Sequence, residues 1–220
     1  MTDVDTAAEF AIVEGILAER PDDAILAEEG TDRAGTTGVR WVIDPLDGTA
    51  NFVRGYPGYC VSVGVEVDGE AVVGVVVDSL GVRTEGVRGV GAVRHGRPVH
   101  PSDRRDLAAS VLATGFGYDP EARARQAKVA AVVLPRVADI RRAGSAAWDL
   151  VAAATGEVDA YYEVGLAPWD LCGGRAIVEA AGGVVRTFAQ ADGDELVVAS
   201  PPQLLAPLLA LLTEAGLRTS

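Results

Sequence analysis

This sequence predicts a mixed α/β fold (α+β in its first half), and three observations carry that prediction. Residues 60–67 and 71–78 are Val-rich runs joined by Asp68-Gly69, a strong hairpin signal, so an antiparallel sheet lies in the first half. Beyond residues 100–106, strand and helix patterns alternate, which predicts a layered α/β second half. Finally, 49% of the 220 residues are hydrophobic with no low-complexity tract among them, enough for a sizeable core. The division falls between residues 1–104 and 105–220.

In chain order, residues 6–19 set Phe10, Ile12, Val13, Ile16 and Leu17 on a helical stripe that Pro21 ends. Ile25-Leu26-Ala27 forms a short strand that delivers Glu28 and Glu29 into a Gly- and Thr-rich loop, 30–38, with the composition of an active-site flap. A strand over 41–43 runs into two acids, and a short helix opens after them. The first half therefore reads as a helix packed on an antiparallel sheet. The Gly-rich region 86–91 reads as a hairpin, and His95-Gly96-Arg97-Pro98 as a turn. The second half continues as strand 108–114, helix 121–134, strand 137–142, helix 145–155, strand 159–163 and helix 169–181. Strands 183–186 and 195–199 and a Leu-rich helix, 203–214, complete it.

Composition narrows the function. Nineteen basic against 32 acidic residues give a net charge of −13, which argues against general nucleic-acid binding, since phosphate backbones need a basic footprint. A phosphate ester suits so acidic a chain only where metal ions reverse the local sign. Cys60 and Cys172, each in an apolar context, read as buried reduced thiols without metal-ligand spacing. No signal-peptide pattern and no apolar run of spanning length occurs, which predicts a cytoplasmic protein without a membrane role.

The chemistry concentrates in Trp41-Val42-Ile43-Asp44-Pro45-Leu46-Asp47-Gly48-Thr49. A strand that ends in two acids and a helix N-terminus can hold divalent cations and a phosphate together. Asp-Pro and Asp-Gly are also common turn formers, so this stretch alone has a second reading. Glu28 precedes it at a neighbouring strand end, and Trp169-Asp170 opens a later helix, where an acid also complements the helix dipole. Four acids at four element ends, all beside Gly or Pro, are harder to explain as four independent caps. Hard cations want such oxygen ligands. Rival chemistries lack their parts: His95 and His100 sit in turn contexts, and no Gly-x-Ser-x-Gly, Walker loop or dinucleotide fingerprint occurs.

With these motifs the chain resembles the inositol monophosphatase family, metal-dependent phosphatases of the lithium-sensitive type that act on sugar and polyol phosphates. The resemblance runs through Ala27-Glu28-Glu29, residues 41–49 with Asn51-Phe52, Gly144-Ser145-Ala146-Ala147, Asp159-Ala160-Tyr161-Tyr162-Glu163, Trp169-Asp170 and Glu179-Ala180-Ala181-Gly182-Gly183, in the family's order. It implies a layered α-β-α-β-α sandwich without the family's usual first N-terminal helix. It also implies that Glu28, Asp44 and the Leu46 carbonyl hold one Mg²⁺, that Asp44, Asp47 and Asp170 hold a second, and that Glu28 reaches a third through water. Gly48 and Thr49 would present backbone N–H groups to the phosphate. Thr49 and Asp5, the latter within Thr2-Asp3-Val4-Asp5, would orient and deprotonate the attacking water, with Thr2 and Asp5 expected to fray near a chain end.

The implied reaction is in-line hydrolysis of a phosphomonoester by metal-activated water, with no phosphoenzyme. Glu163 and the Gly144-Ser145-Ala146 segment would line the polyol pocket, which favours inositol monophosphate or a related sugar or polyol phosphate. The Leu166-Ala167-Pro168 segment departs from relatives that carry a larger or charged residue before the Pro-Trp-Asp, so histidinol phosphate, a nucleotide 3′-phosphate or a sugar bisphosphate are alternative substrates. A weakly active member with a binding or regulatory role is the remaining alternative. Apolar helices and strands left over after two small cores, together with relatives that are often dimers, suggest a homodimer, and the acidic balance predicts no direct nucleic-acid partner.

Overall fold

The computed structural model describes residues 2–220. Its elements in chain order are α1 (Asp3–Glu19), β1 (Ala24–Ala27), β2 (Asp32–Arg33), β3 (Val39–Asp47), α2 (Thr49–Val53), β4 (Cys60–Val67), β5 (Glu70–Asp78), β6 (Arg83–Val87), β7 (Gly91–Arg94) and β8 (Arg97–Pro98). The chain continues as β9 (Val111–Thr114), α3 (Pro120–Val133), β10 (Asp139–Arg141), α4 (Ala146–Thr155), β11 (Ala160–Val164), α5 (Pro168–Ala180), β12 (Val184–Ala189), β13 (Glu195–Ser200) and α6 (Pro202–Glu214). Among the described residues the strands make two sheets, ordered β2-β1-β3-β4-β5-β6-β7-β8 and β10-β9-β11-β13-β12.

Strand alternation builds the layers. On β3, Ile43 faces α1 with Ile25 and Ala27, while Val42 faces α5 with Cys172 and Ala176. On β11, Tyr161 joins Leu150 and Ile177 between the sheets, and its neighbour Tyr162 turns outward to Val133 of α3 and Leu208 of α6. The result is α1, the eight-stranded sheet, α4 with α5, the five-stranded sheet, then α3 with α6: the α-β-α-β-α sandwich. No helix is long and apolar enough to cross a membrane.

A row of glycines seats α5. Gly64, Gly74 and Gly86 pair with one another across β4, β5 and β6. A Cβ added at Gly64 would lie 2.3 Å from the Cys172 sulfur, and one at Gly74 would lie 2.0 Å from the Gly173 carbonyl oxygen. The bare strip lets α5 lie directly on the sheet, which brings its first turn, with Asp170, to the end of β3.

Several local expectations shift. The first helix begins at Asp3 instead of residue 6, because Thr2 and Asp5 close a capping box; the pair expected to fray is tied down and Asp5 is fully buried. Phe10 is 63% exposed, so it does not belong to the apolar stripe. Positions 5, 9, 12, 13 and 16 share the buried face, and the stripe continues toward the N-terminus through two acids, Asp5 and Glu9. The first sheet is not wholly antiparallel: β1 runs parallel to β3. The 30–38 loop carries the crossover, and its β2 segment pairs back on β1. The expected strand 108–114 is shorter at its start, where a 3₁₀ turn occupies Leu107–Ala109. Both cysteines are free and buried, and both histidines are exposed.

Candidate active site

The end of β3 brings Asp44 and Asp47 together. Residues three apart on a regular strand face opposite sides, so two acids at this spacing would diverge. The pairing of β3 with β4 slips between Asp44 and Asp47, and Pro45, which has no N–H to donate, sits in the irregular step. The kink turns both carboxylates toward one cleft. The Leu46 N–H donates to Asp44 Oδ1 at 2.9 Å and locks that rotamer. Gly48 comes next at φ +94°, and a Cβ there would lie 2.8 Å from the Gly58 carbonyl oxygen, so only glycine makes the turn into α2.

Asp170 arrives from the first turn of α5, where Ala167 N–H donates to its Oδ2 at 2.7 Å. One oxygen from each of Asp44, Asp47 and Asp170 lies within 4.8 Å of the others. Glu28, more exposed, stands on the same cleft from the end of β1. Asp47 is held from the far side: the Ser145 hydroxyl and the Ala147 N–H, at the start of α4, each donate to its Oδ2 at 2.7 Å.

Burial pushes the Asp44 carboxyl up to about 10, reinforced by the charges of Asp47, Glu28 and Asp170. Asp47 rises to about 7, chiefly from burial and then Asp170, against the pull of its bonds to Ser145 and Ala147. Burial also raises Glu28 and Asp170. Among the described residues no cation pairs with any of the four. Carboxylates of one sign, two of them buried, gathered without a counter-charge, fit a hard divalent cation.

Beside this trio, the Thr49 hydroxyl lies 3.0 Å from the Leu46 carbonyl oxygen and 3.2 Å from Asp5 Oδ1. Burial works to raise the Asp5 carboxyl, but hydrogen bonds from Thr2 and Thr49 outweigh it and hold the group below the usual carboxylate range. Asp5 is therefore an ionised acceptor facing the Thr49 hydroxyl.

The cleft, about 340 Å³, extends from the trio to Gly144, Ser145, Ala146 and Glu163, so the structure gathers the expected site residues except Asp5, which backs Thr49 from behind. Glu163 accepts from the Tyr161 hydroxyl at 2.7 Å, and burial lifts its carboxyl to about 7. Gly115 makes room for it: a Cβ there would fall 2.0 Å from Glu163 Oε2. Sequence reasoning missed Gly115, Phe116, Arg142 and Asp149, all on the cleft wall. Asp149 is buried on α4 and raised to about 8, mainly by burial. The Arg142 and Asp149 positions flank the Gly144 motif, the one signal that pointed toward them. A neighbouring cavity of about 380 Å³ shares Glu163 and Gly115 but none of the acidic trio.

Such a fold, with an acidic trio that could hold a metal ion, is that of a phosphatase. The chain belongs to the inositol monophosphatase family, whose sequence profile matches residues 1–216, and so to the phosphoric monoester hydrolases. It is 43% identical to a Xylella fastidiosa protein named Nus factor SuhB, over 89% of this chain and 71% of that one. It is 41% identical to the inositol-1-monophosphatase of Mycobacterium bovis, over 96% of this chain and 77% of that one. The solved inositol monophosphatase of Anabaena superposes with a TM-score of 0.86 at 34% identity, covering 96% of this chain and 86% of that one.

Proposed function

We propose that this protein is a Mg²⁺-dependent phosphomonoesterase acting on inositol monophosphate or a related sugar or polyol phosphate. The observation that carries the reading is the convergence of Asp44, Asp47 and Asp170 within 4.8 Å beside the Thr49–Asp5 pair. Glu28, Asp44 and the Leu46 carbonyl would hold one Mg²⁺; Asp44, Asp47 and Asp170 would hold a second, with a third more weakly on Glu28. Bound Mg²⁺ supplies charge neutralisation at the phosphate and acidifies water.

The chain's own groups do the rest. Gly48 and Thr49 offer backbone N–H groups to a phosphate at the turn into α2. Thr49, with its hydroxyl on Asp5, orients the attacking water and passes its proton toward the ionised Asp5 carboxylate. Glu163 and the Gly144-Ser145-Ala146 segment receive the hydroxyl-rich alcohol. In this reading residues 1–104 carry most of the metal and phosphate groups, and residues 105–220 select the substrate. The working form is a cytoplasmic homodimer.

A panel of phosphate-release assays tests this, run with and without Mg²⁺ on inositol 1-phosphate, histidinol phosphate and 3′-phosphoadenosine 5′-phosphate. Inositol 1-phosphate is expected to lead, only with Mg²⁺. A second reading comes from the name Nus factor carried by the Xylella relative: a binding or regulatory role instead of catalysis. With a net charge of −13, a protein partner suits this chain better than direct nucleic-acid binding. That reading predicts Mg²⁺-dependent thermal stabilisation without turnover of any ester in the panel.

A further inference from the structure

Glu9 sits one helical turn beyond Asp5 on the buried face of α1 and is 6% exposed. Its carboxylate bonds outside its own helix. Oε2 accepts the Glu29 N–H at 2.7 Å, and Oε1 accepts both the Thr31 N–H at 3.1 Å and the Thr31 hydroxyl at 2.6 Å. These donors belong to the turn that displays Glu28. The turn closes with Ala27 N–H on the Thr31 carbonyl at 2.7 Å, and Glu28 sends its own N–H to the Ile43 carbonyl at 3.2 Å. Glu9 thus binds the turn from inside while Glu28 faces the cleft.

We infer that Glu9 is a positioning residue for the metal site: it fixes the Glu28 turn against the end of β3. Through Asp5 on Thr49 and Glu9 on residues 29 and 31, α1 registers the water-orienting pair and the Glu28 loop on one rigid element. This rests on the proposed role of Glu28 as a metal ligand. The residue type suits the task. Three donors converge on one side chain, and a carboxylate has two acceptor oxygens and no donor to clash with them. A glutamine would set an NH₂ against one of those donors. A group serving stability alone has no need to place all three of its bonds within three residues of Glu28.

Glu9→Gln tests it, with three measurements: Mg²⁺ affinity by titration calorimetry, amide exchange at Glu29 and Thr31 in the metal-free protein, and phosphate release against Mg²⁺ concentration. Loss of a group that orients a ligand is expected to weaken Mg²⁺ binding about 10-fold or more. Exchange at Glu29 and Thr31 should accelerate by a similar factor, roughly 10-fold, as the turn opens locally. Turnover at saturating Mg²⁺ should return to within about 2-fold of wild type, because the defect lies in holding the ion. Unchanged Mg²⁺ affinity, or a lower melting temperature with unmoved affinity and exchange, overturns the inference. Should Glu9→Gln fail to fold, Thr31→Val, which removes only the hydroxyl donor, takes its place. A shift of about 2–3-fold in the same direction supports the inference, and none overturns it. Wild-type protein that binds no Mg²⁺ overturns both this inference and the proposed function; wild-type Mg²⁺ dependence with an indifferent Glu9→Gln overturns this one alone.

Discussion

The two ends of the cleft are built in different ways. At the acidic end, Asp44, Asp47, Gly48 and Thr49 come from one short run, and a slip in strand pairing turns them to a common side. At the far end, Gly115 comes from the residue just past β9, Arg142 from the loop before α4, Asp149 from α4 and Glu163 from β11. The ends meet at Ser145, which lines the far end and also donates its hydroxyl to Asp47. Only part of the acidic cluster is encoded locally, since the fold must still bring Glu28 and Asp170 to it, whereas every group of the far wall arrives from a separate element. A substitution at one end should therefore move a different quantity from one at the other.

The largest effect belongs to the acidic end. Asp44→Asn should lower Mg²⁺-dependent phosphate release by at least about 10³-fold, the rate equivalent of several kcal/mol of charge stabilisation. Its metal-free form should melt at or above wild type, since burial and three neighbouring acids already penalise a charge at Asp44. Near wild-type turnover would break the comparison at its stronger side.

At the far end, Gly115→Ala would drive a Cβ into the Glu163 carboxylate that Tyr161 holds. KM for inositol 1-phosphate should rise about 10-fold while Mg²⁺ affinity stays at wild type. A shift in Mg²⁺ affinity instead would show that the two ends are not separable.

The remaining effect is in pH. Asp44 at about 10 and Asp47 at about 7 lie above their ordinary value of 3.8, so the folded metal-free protein keeps protons that the unfolded chain has released. Its stability should fall as pH rises from about 4 toward about 10. In the proposed function Mg²⁺ would take the place of those protons, so the gain in melting temperature on adding Mg²⁺ should be larger near pH 9 than near pH 5. A gain that shrinks with pH would contradict the separation of roles.

The same contrast governs what could be read from the sequence. Residues 41–49 announce an acid-bearing strand end because strand propensity, the Asp-Pro and Asp-Gly turn chemistry and the helix start after them are all local. The layering was legible too, through period-2 and period-3.6 patterns and the family resemblance. Asp149 and Arg142 were not, because a lone acid or arginine beside a helix start carries no mark of what the fold will set against it. Glu9 shows the same limit. Its place on the helical stripe was filled by Phe10 in a purely apolar reading, and only the turn at residues 28–31 reveals why the buried face is acidic there. Ser145 reads as a pocket residue in sequence, yet its hydroxyl is bonded to Asp47 and caps α4.

Anomalous scattering from crystals grown with Mn²⁺ in place of Mg²⁺ tests the central claim most directly. A strong peak among the carboxylates of Asp44, Asp47 and Asp170 is the predicted result. Crystals with those three carboxylates unoccupied, or with Mn²⁺ bound only elsewhere, would contradict it.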